Sequence, residues 1–226
     1  MPDQTADIQW RDGATPVSTR FDDPYFSLND GLAETGHVFL AGNGLPARFR
    51  PGFHIAELGF GTGLNMLCAW DLWNRSEQTG PLYFTSFEQY PMALTDMETA
   101  LHGFPELAYL TVVFLKHWPN GSGCLDLPSL KLRVITGDAR QTLPHWNDIA
   151  DAWFLDGFSP AKNPQLWGEK LLADVARHTT GDGTFATYTA AGHVRRALGD
   201  AGFDVNRCPG YGRKRHMTVG KKAPKT

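Results

Sequence analysis

Cysteine is scarce in this chain: Cys68, Cys124 and Cys208 are the only three in 226 residues, and they show no pair spacing. That excludes a disulfide framework and a cysteine-built zinc site, and leaves each thiol as a small hydrophobe. Long apolar runs are missing as well, since no stretch approaches the roughly 18 residues of a membrane span. The N-terminus, MPDQTADIQW, lacks the basic-then-apolar order of a secretory signal. A cytoplasmic protein without a membrane partner is expected. None of the eight histidines stands in H-x-x-x-H spacing, so no metal is expected, and His54, inside an apolar run, reads as a packing residue. No internal repeat is evident.

What is present fits one substantial core, with 42% hydrophobic residues and a net charge of −3. The charge is unevenly spread. From His193 onward nine Lys and Arg face two Asp, a local net of +7 that leaves −10 for the remainder. Such asymmetry points to an anionic partner, nucleic acid being the commonest, or to a solvated face. The solvated reading suits the tail KKAPKT best; for Arg195, Arg196 and Arg213 to Arg215, inside apparently folded sequence, both readings stand.

Short β-rich runs alternate with amphipathic segments, the pattern of an α/β fold with a largely parallel sheet. Phe53 to Leu58 reads as a strand, then a glycine loop, then a helix carrying Leu64, Leu67, Cys68 and Leu72 on one face. Leu82 to Glu88, Lys131 to Thr136, Ala152 to Leu155 and Thr184 to Thr187 read as further strands. Helices are expected from Met92 to Leu101, from Pro105 to His117, from an Asn163 cap with Pro164 in the first turn, and from Ala190 to Leu198. Asn120 to Pro128 reads as a loop or short hairpin, and Val205 and Met217 to Val219 as closing strands. Residues 1–52, rich in Asp, Gly, Pro and aromatics, are expected to form a small extension packed on a core of residues 53–226.

Four strand ends carry acids. Gly59, Gly61 and Gly63 follow the first strand in G-x-G-x-G spacing, which brings main-chain amides close to a ligand. A dinucleotide fingerprint wants glycine or alanine where this chain has Leu64. Glu57, just before the loop, would repel a pyrophosphate and suits an amine-bearing ligand such as S-adenosylmethionine. Glu88 and Asp138 end the next two strands, where ribose hydroxyls and an adenine amine would lie. Asp156 ends a fourth, in DAWFLDGFSPAKNP. A turn or cap is one reading of it; the neighbouring Phe158, Pro160 and Asn163 support another, a carboxylate that orients an acceptor amine beside an aromatic that stacks on a base.

These stretches, with TPVS (Thr15 to Ser18), FDDPYFS (Phe21 to Ser27), VFLAGNGLPARF (Val38 to Phe49), GFGTGLN (Gly59 to Asn65), AGHVRRAL (Ala191 to Leu198) and GYGRKRHM (Gly210 to Met217), resemble the methyltransferase part of the tRNA 5-methylaminomethyl-2-thiouridine biosynthesis family. The resemblance implies a class I S-adenosylmethionine-dependent methyltransferase fold, Rossmann-like, with a seven-stranded, mostly parallel sheet and helices on both faces. It implies methylation of an aminomethyl group on a tRNA wobble uridine, with donor contacts at Glu57, Gly59, Phe60, Gly61, Thr62, Gly63, Glu88 and Asp138, and with Asp156 and Phe158 at the acceptor. Tyr25 and Lys162, by their neighbourhood, and Arg195, Arg213, Lys214 and Arg215, by their charge, are the candidate tRNA contacts.

Gly36-His37 and Gln89 depart from residues frequent in the family, and no role is carried to them. Bifunctional members continue into an FAD-dependent oxidoreductase; here nothing follows Thr226, so a stand-alone or excised methyltransferase is expected, with no FAD and with its aminomethyl substrate coming from an upstream tRNA-modifying complex. Two other functions remain open on the residues: an N-methyltransferase for a small amine, and a non-catalytic RNA-binding module of the same fold.

Overall fold

The computed structural model describes residues 5–13, 15–27, 30–118 and 123–223. The end of the expected solvated tail and the start of the expected loop at Asn120 lie outside them. The chain opens with a small antiparallel sheet of β1 (Ile8–Arg11), β2 (Thr15–Ser18) and β3 (Asp23–Pro24). A short helix, α1 (Gly31–Thr35), follows, and Asp30 caps it by accepting the Ala33 amide at 2.8 Å. A π-turn over Gly36–Leu40 and a 3-10 turn over Ala41–Asn43 lead toward the main sheet.

That sheet is laid down by β4 (His54–Leu58), α2 (Leu64–Arg75), β5 (Leu82–Glu88), α3 (Leu94–Leu101) and α4 (Ala108–His117). It continues through β6 (Gly123–Leu127), β7 (Leu130–Thr136), α5 (Ala139–Thr142), β8 (Ala150–Leu155) and α6 (Glu169–Arg177). β9 (Thr179–Thr187), α7 (Gly192–Asp200), β10 (Phe203–Pro209) and β11 (His216–Lys222) complete it. The strand order is β10-β11-β9-β8-β4-β5-β7-β6. The five strands from β9 to β7 run parallel to their neighbours, while β11 is antiparallel to both β9 and β10.

The sheet therefore has eight strands rather than the expected seven. The added strand, β6, pairs antiparallel with β7 on the outer edge. Its Cys124-Leu125-Asp126-Leu127 alternates exposed and inward residues over too short a span to stand out from the surrounding turn residues. The helix expected from Asn163 is also different: Pro164–Trp167 form a 3-10 turn, Asn163 makes no side-chain cap, and α6 starts only after Gly168. Gly168 sits in an extended conformation (φ −74°, ψ 147°) that interrupts any continuous helix.

Burial explains why β8 is central. All six of its residues are buried, and successive side chains feed opposite faces: Phe154 packs with Leu67 and Phe84, whereas Trp153 and Leu155 pack with Leu172 and Val194. The direction of strand addition reverses between β4 and β8. Their carboxyl ends, adjacent at this switch point, are where an open α/β sheet presents a ligand crevice.

Candidate active site

The loop after β4 is built on glycines in left-handed conformations. Gly59 (φ +87°) would place a Cβ 3.1 Å from the Asp156 carbonyl, and Gly61 (φ +52°) would place one 3.1 Å from the Tyr25 ring. Side chains are excluded at both positions by backbone angle and by contact. The loop is thereby pressed between the β8 loop and the N-terminal extension.

Glu88, at the end of β5, fastens this loop. Its Oε2 accepts the amides of Phe60 and Gly61, each at 3.0 Å, and its Oε1 accepts the Tyr90 amide at 2.7 Å. Burial raises its pKa and these amide donors pull it back down. Asp138 caps α5 through the Arg140 amide and binds the Arg140 guanidinium at 2.5 Å, a pairing that lowers its pKa. Both acids line a cleft with Gly59, Gln89, Gly137, Ala139, Gly157, Phe158 and Leu166. Of the expected loop contacts, Gly59 lies on this wall, whereas Phe60 and Thr62 are turned into the protein and are only 4% and 3% exposed.

Glu57 is not on that wall. It is fully buried, with Oε1 accepting from Asn65 Nδ2 at 3.0 Å and Oε2 from Ser86 Oγ at 2.7 Å. Its pKa is pushed well up, first by burial and then by the charge of Asp156. The Asn65 amide also donates to Asp156 Oδ2 at 2.8 Å, and its carbonyl accepts from Thr35 Oγ1 at 2.8 Å. Thr35 thus fixes which way the amide points, and both of its hydrogens serve carboxylates. Asp156 Oδ1 accepts the Gly157 amide at 2.8 Å, and burial raises the Asp156 pKa to about 6. A carboxylate titrating there is ionised at pH 7 yet able to take a proton. Asn65 stood inside the GFGTGLN motif, but only its contacts across strands reveal its role.

The N-terminal extension closes the other side of the cleft. Phe158 stacks on Phe21 with ring centroids 4.7 Å apart and meets Tyr25 edge-on at 5.1 Å. Asp23 accepts the Ser159 amide at 2.8 Å, and Lys162 binds the Asp22 carbonyl and the carboxylates of Asp22 and Asp23. Lys162 therefore clasps the extension to the loop. Tyr25 lines the cleft and its hydroxyl is held neutral by burial and by Glu88.

Of the candidate contacts chosen for their charge, Lys214 reaches this region. Its ammonium pairs with Glu34 at 2.8 Å and lies 4.0 Å from the Tyr188 ring centroid, while Tyr188 donates to the Gly157 carbonyl at 2.7 Å. The charge of Lys214 lowers the Asp156 pKa and that of Glu34 raises it. Arg213 and Arg215 are exposed and Arg195 is half-buried, with no ion pair among the described residues.

A family model described as S-adenosyl-L-methionine-dependent methyltransferase matches residues 105–223. The chain belongs to this family. The tRNA 5-methylaminomethyl-2-thiouridine biosynthesis bifunctional protein MnmC of Marinobacter nauticus is 43% identical over 96% of the chain, and that of Caulobacter vibrioides 44% over 95%. The chain spans 37% and 38% of the lengths of these two relatives. The crystal structure of MNMC2 from Aquifex aeolicus superposes with a TM-score of 0.77 at 27% identity, covering 100% of this chain and 74% of that one.

The cleft suits the family's donor. S-adenosylmethionine carries hydroxyls, an ammonium and a sulfonium but no phosphate, and the wall offers Asp7, Glu88 and Asp138 with bare main chain at three glycines. Arg140 is spent on Asp138, and Arg20 lies over the Tyr90 ring at 4.6 Å. A pyrophosphate, whether of NAD or FAD, would meet those acids. Among the described residues no cluster of His, Cys, Asp and Glu could hold a metal ion, and no helix is long and apolar enough to cross a membrane.

Proposed function

We propose that this methyltransferase acts on the aminomethyl group of 5-aminomethyl-(2-thio)uridine at the tRNA wobble position, giving the methylaminomethyl product. The observation that carries the reading is Asp156, a carboxylate with a pKa of about 6, held by Asn65 and the Gly157 amide directly before Gly157 and Phe158, which line the donor cleft; Asp156 itself is not among the lining residues. The names of the Marinobacter and Caulobacter relatives support the acceptor.

S-adenosylmethionine, when bound, supplies a methyl group activated by the sulfonium. Gly59, Glu88 and Asp138 would hold it, with Glu88 keeping the loop in shape through the Phe60 and Gly61 amides. Asp156 then orients the acceptor nitrogen and takes up one of its protons at the carboxylate, leaving the lone pair free. Phe158, backed by Phe21 and Tyr25, offers an aromatic surface against which an extruded uridine stacks and from which water is excluded. Glu57, Asn65 and Thr35 position Asp156 rather than touch either substrate. The aminomethyl group comes from an upstream tRNA-modifying complex in the cytoplasm.

Nucleoside mass spectrometry of total tRNA from a strain lacking the gene tests this reading. Aminomethyluridine is expected to accumulate and methylaminomethyluridine to disappear; an unchanged nucleoside profile rejects it, and a lost small-molecule methylamine with normal tRNA would favour a small acceptor.

A further inference from the structure

Eight of the chain's 21 Lys and Arg are answered by carboxylates among the described residues. Arg50, Arg75, Lys131, Arg140, Lys162, Arg177, Lys214 and Lys221 each pair with a carboxylate. Three of the cations without such a partner lie close together. Arg195 on α7, Arg207 on β10 and Arg215 just before β11 make no ion pair among the described residues, and the Arg195 Nε–H is buried without an acceptor. They converge on His216. In the β10–β11 hairpin Pro209 is paired with His216, and Arg207 lies two residues from Pro209, so Arg207 and His216 project from the same face. Helix α7, which carries Arg195, packs on β10, and after partial burial the charges of Arg207, Arg215 and Arg195 all act to lower the pKa of that imidazole.

Three unpaired guanidiniums this close together present one positive surface to an anionic partner. The hairpin also has a direction. Its turn carries Lys214, which reaches Glu34 and acts on the charge of Asp156, so one short segment joins the cationic cluster to the acceptor end of the cleft.

We propose that Arg195, Arg207 and Arg215 form a phosphate-anchoring site for the RNA backbone beside the methylated nucleotide, a step that rests on the tRNA reading above. Each guanidinium presents planar paired donors to phosphate oxygens. Lys214 does not belong to the anchor, being held by Glu34 at the reaction site.

Fluorescence anisotropy of an unmodified tRNA transcript, measured across salt concentrations with the full chain, tests the anchor without requiring turnover. Arg195→Ala, Arg207→Ala and Arg215→Ala are each expected to weaken binding about tenfold and to reduce the slope of log Kd against log salt by about 0.7–0.9. The Lys substitutions should recover most of the slope, and Arg75→Ala, whose partner is Asp71 on α2, should match the parent chain. Thermal midpoints and S-adenosylmethionine binding establish that each variant is folded. If the parent binds tRNA and the three Ala variants bind with the parent's affinity and slope, the anchor is overturned while the tRNA reading stands. If the parent shows no salt-dependent tRNA binding, the tRNA reading fails first and the anchor with it.

Discussion

Replacing Asp156 with Asn should cut methyl transfer by about 10²- to 10⁴-fold, the range spanned by a positioned proton acceptor, while leaving S-adenosylmethionine binding within a factor of two or so of the parent. The two effects separate because Glu88 and Asp138 lie on other strands and keep their partners. The sign of the pH dependence follows from the carboxyl being raised to about 6 from its ordinary value. Below that pH Asp156 is protonated and can neither orient the amine nor take its proton, so transfer in the parent chain falls as pH drops through 6, and the Asn variant lacks this limb. Stability runs the other way: with the folded pKa raised, burial costs nothing in acid and weakens the fold as pH rises through 6. The variant is spared that cost, but an amide in place of the carboxylate mismatches either Asn65 or Gly157. Its thermal midpoint at pH 7.5 should therefore stay within about 4 °C of the parent's. A large loss of stability with unaltered transfer per folded molecule would make Asp156 a structural turn residue.

Asn65→Leu should damage both fold and chemistry. It removes the donor to Glu57, which is fully buried, and the donor to Asp156, and it leaves the Thr35 hydroxyl without its acceptor. Stranded buried polar groups cost about 1–3 kcal/mol each, partly relieved here by protonation of Glu57, so a net loss of about 2–4 kcal/mol is expected. The reading is sharper in the pH profile. The Asn65 bond favours the ionised form of Asp156, so its loss should move the acid limb above pH 6 in whatever enzyme remains folded. Differential scanning fluorimetry gives the first quantity and initial rates from pH 5 to 8 the second; an acid limb that stays in place would remove Asn65 from any positioning role.

Much of the site was legible because strand ends and glycine loops are local. The runs read at Phe53–Leu58, Leu82–Glu88 and Ala152–Leu155 became β4 (His54–Leu58), β5 and β8 (Ala150–Leu155), and Glu88, at the end of β5, falls where an α/β sheet gathers ligands. What sequence order hides is which partner each acid spends its oxygens on. Glu57 looked like a ligand contact until Ser86 and Asn65 were seen to occupy it. Lys162 looked like a tRNA contact from its neighbours, but its ammonium is bound by Asp22 and Asp23, some 140 residues away in sequence. The N-terminal extension was legible as aromatic and ordered, yet its stacking of Phe21 on Phe158 depends on a contact that no spacing encodes. At Asn163 local signals misled, because a good cap and a proline start only a 3-10 turn when Gly168 breaks the chain five residues later.

The most direct test of the central claim is reconstitution with the purified chain, isotopically methyl-labelled S-adenosylmethionine and tRNA from a strain deficient in this methylation. Digestion and mass spectrometry should find the label on the nitrogen of the 5-methylaminomethyl group of the wobble uridine, with the Asp156→Asn chain transferring almost none. Label on a different nucleoside, or none on tRNA while a free amine is methylated under the same conditions, would contradict it.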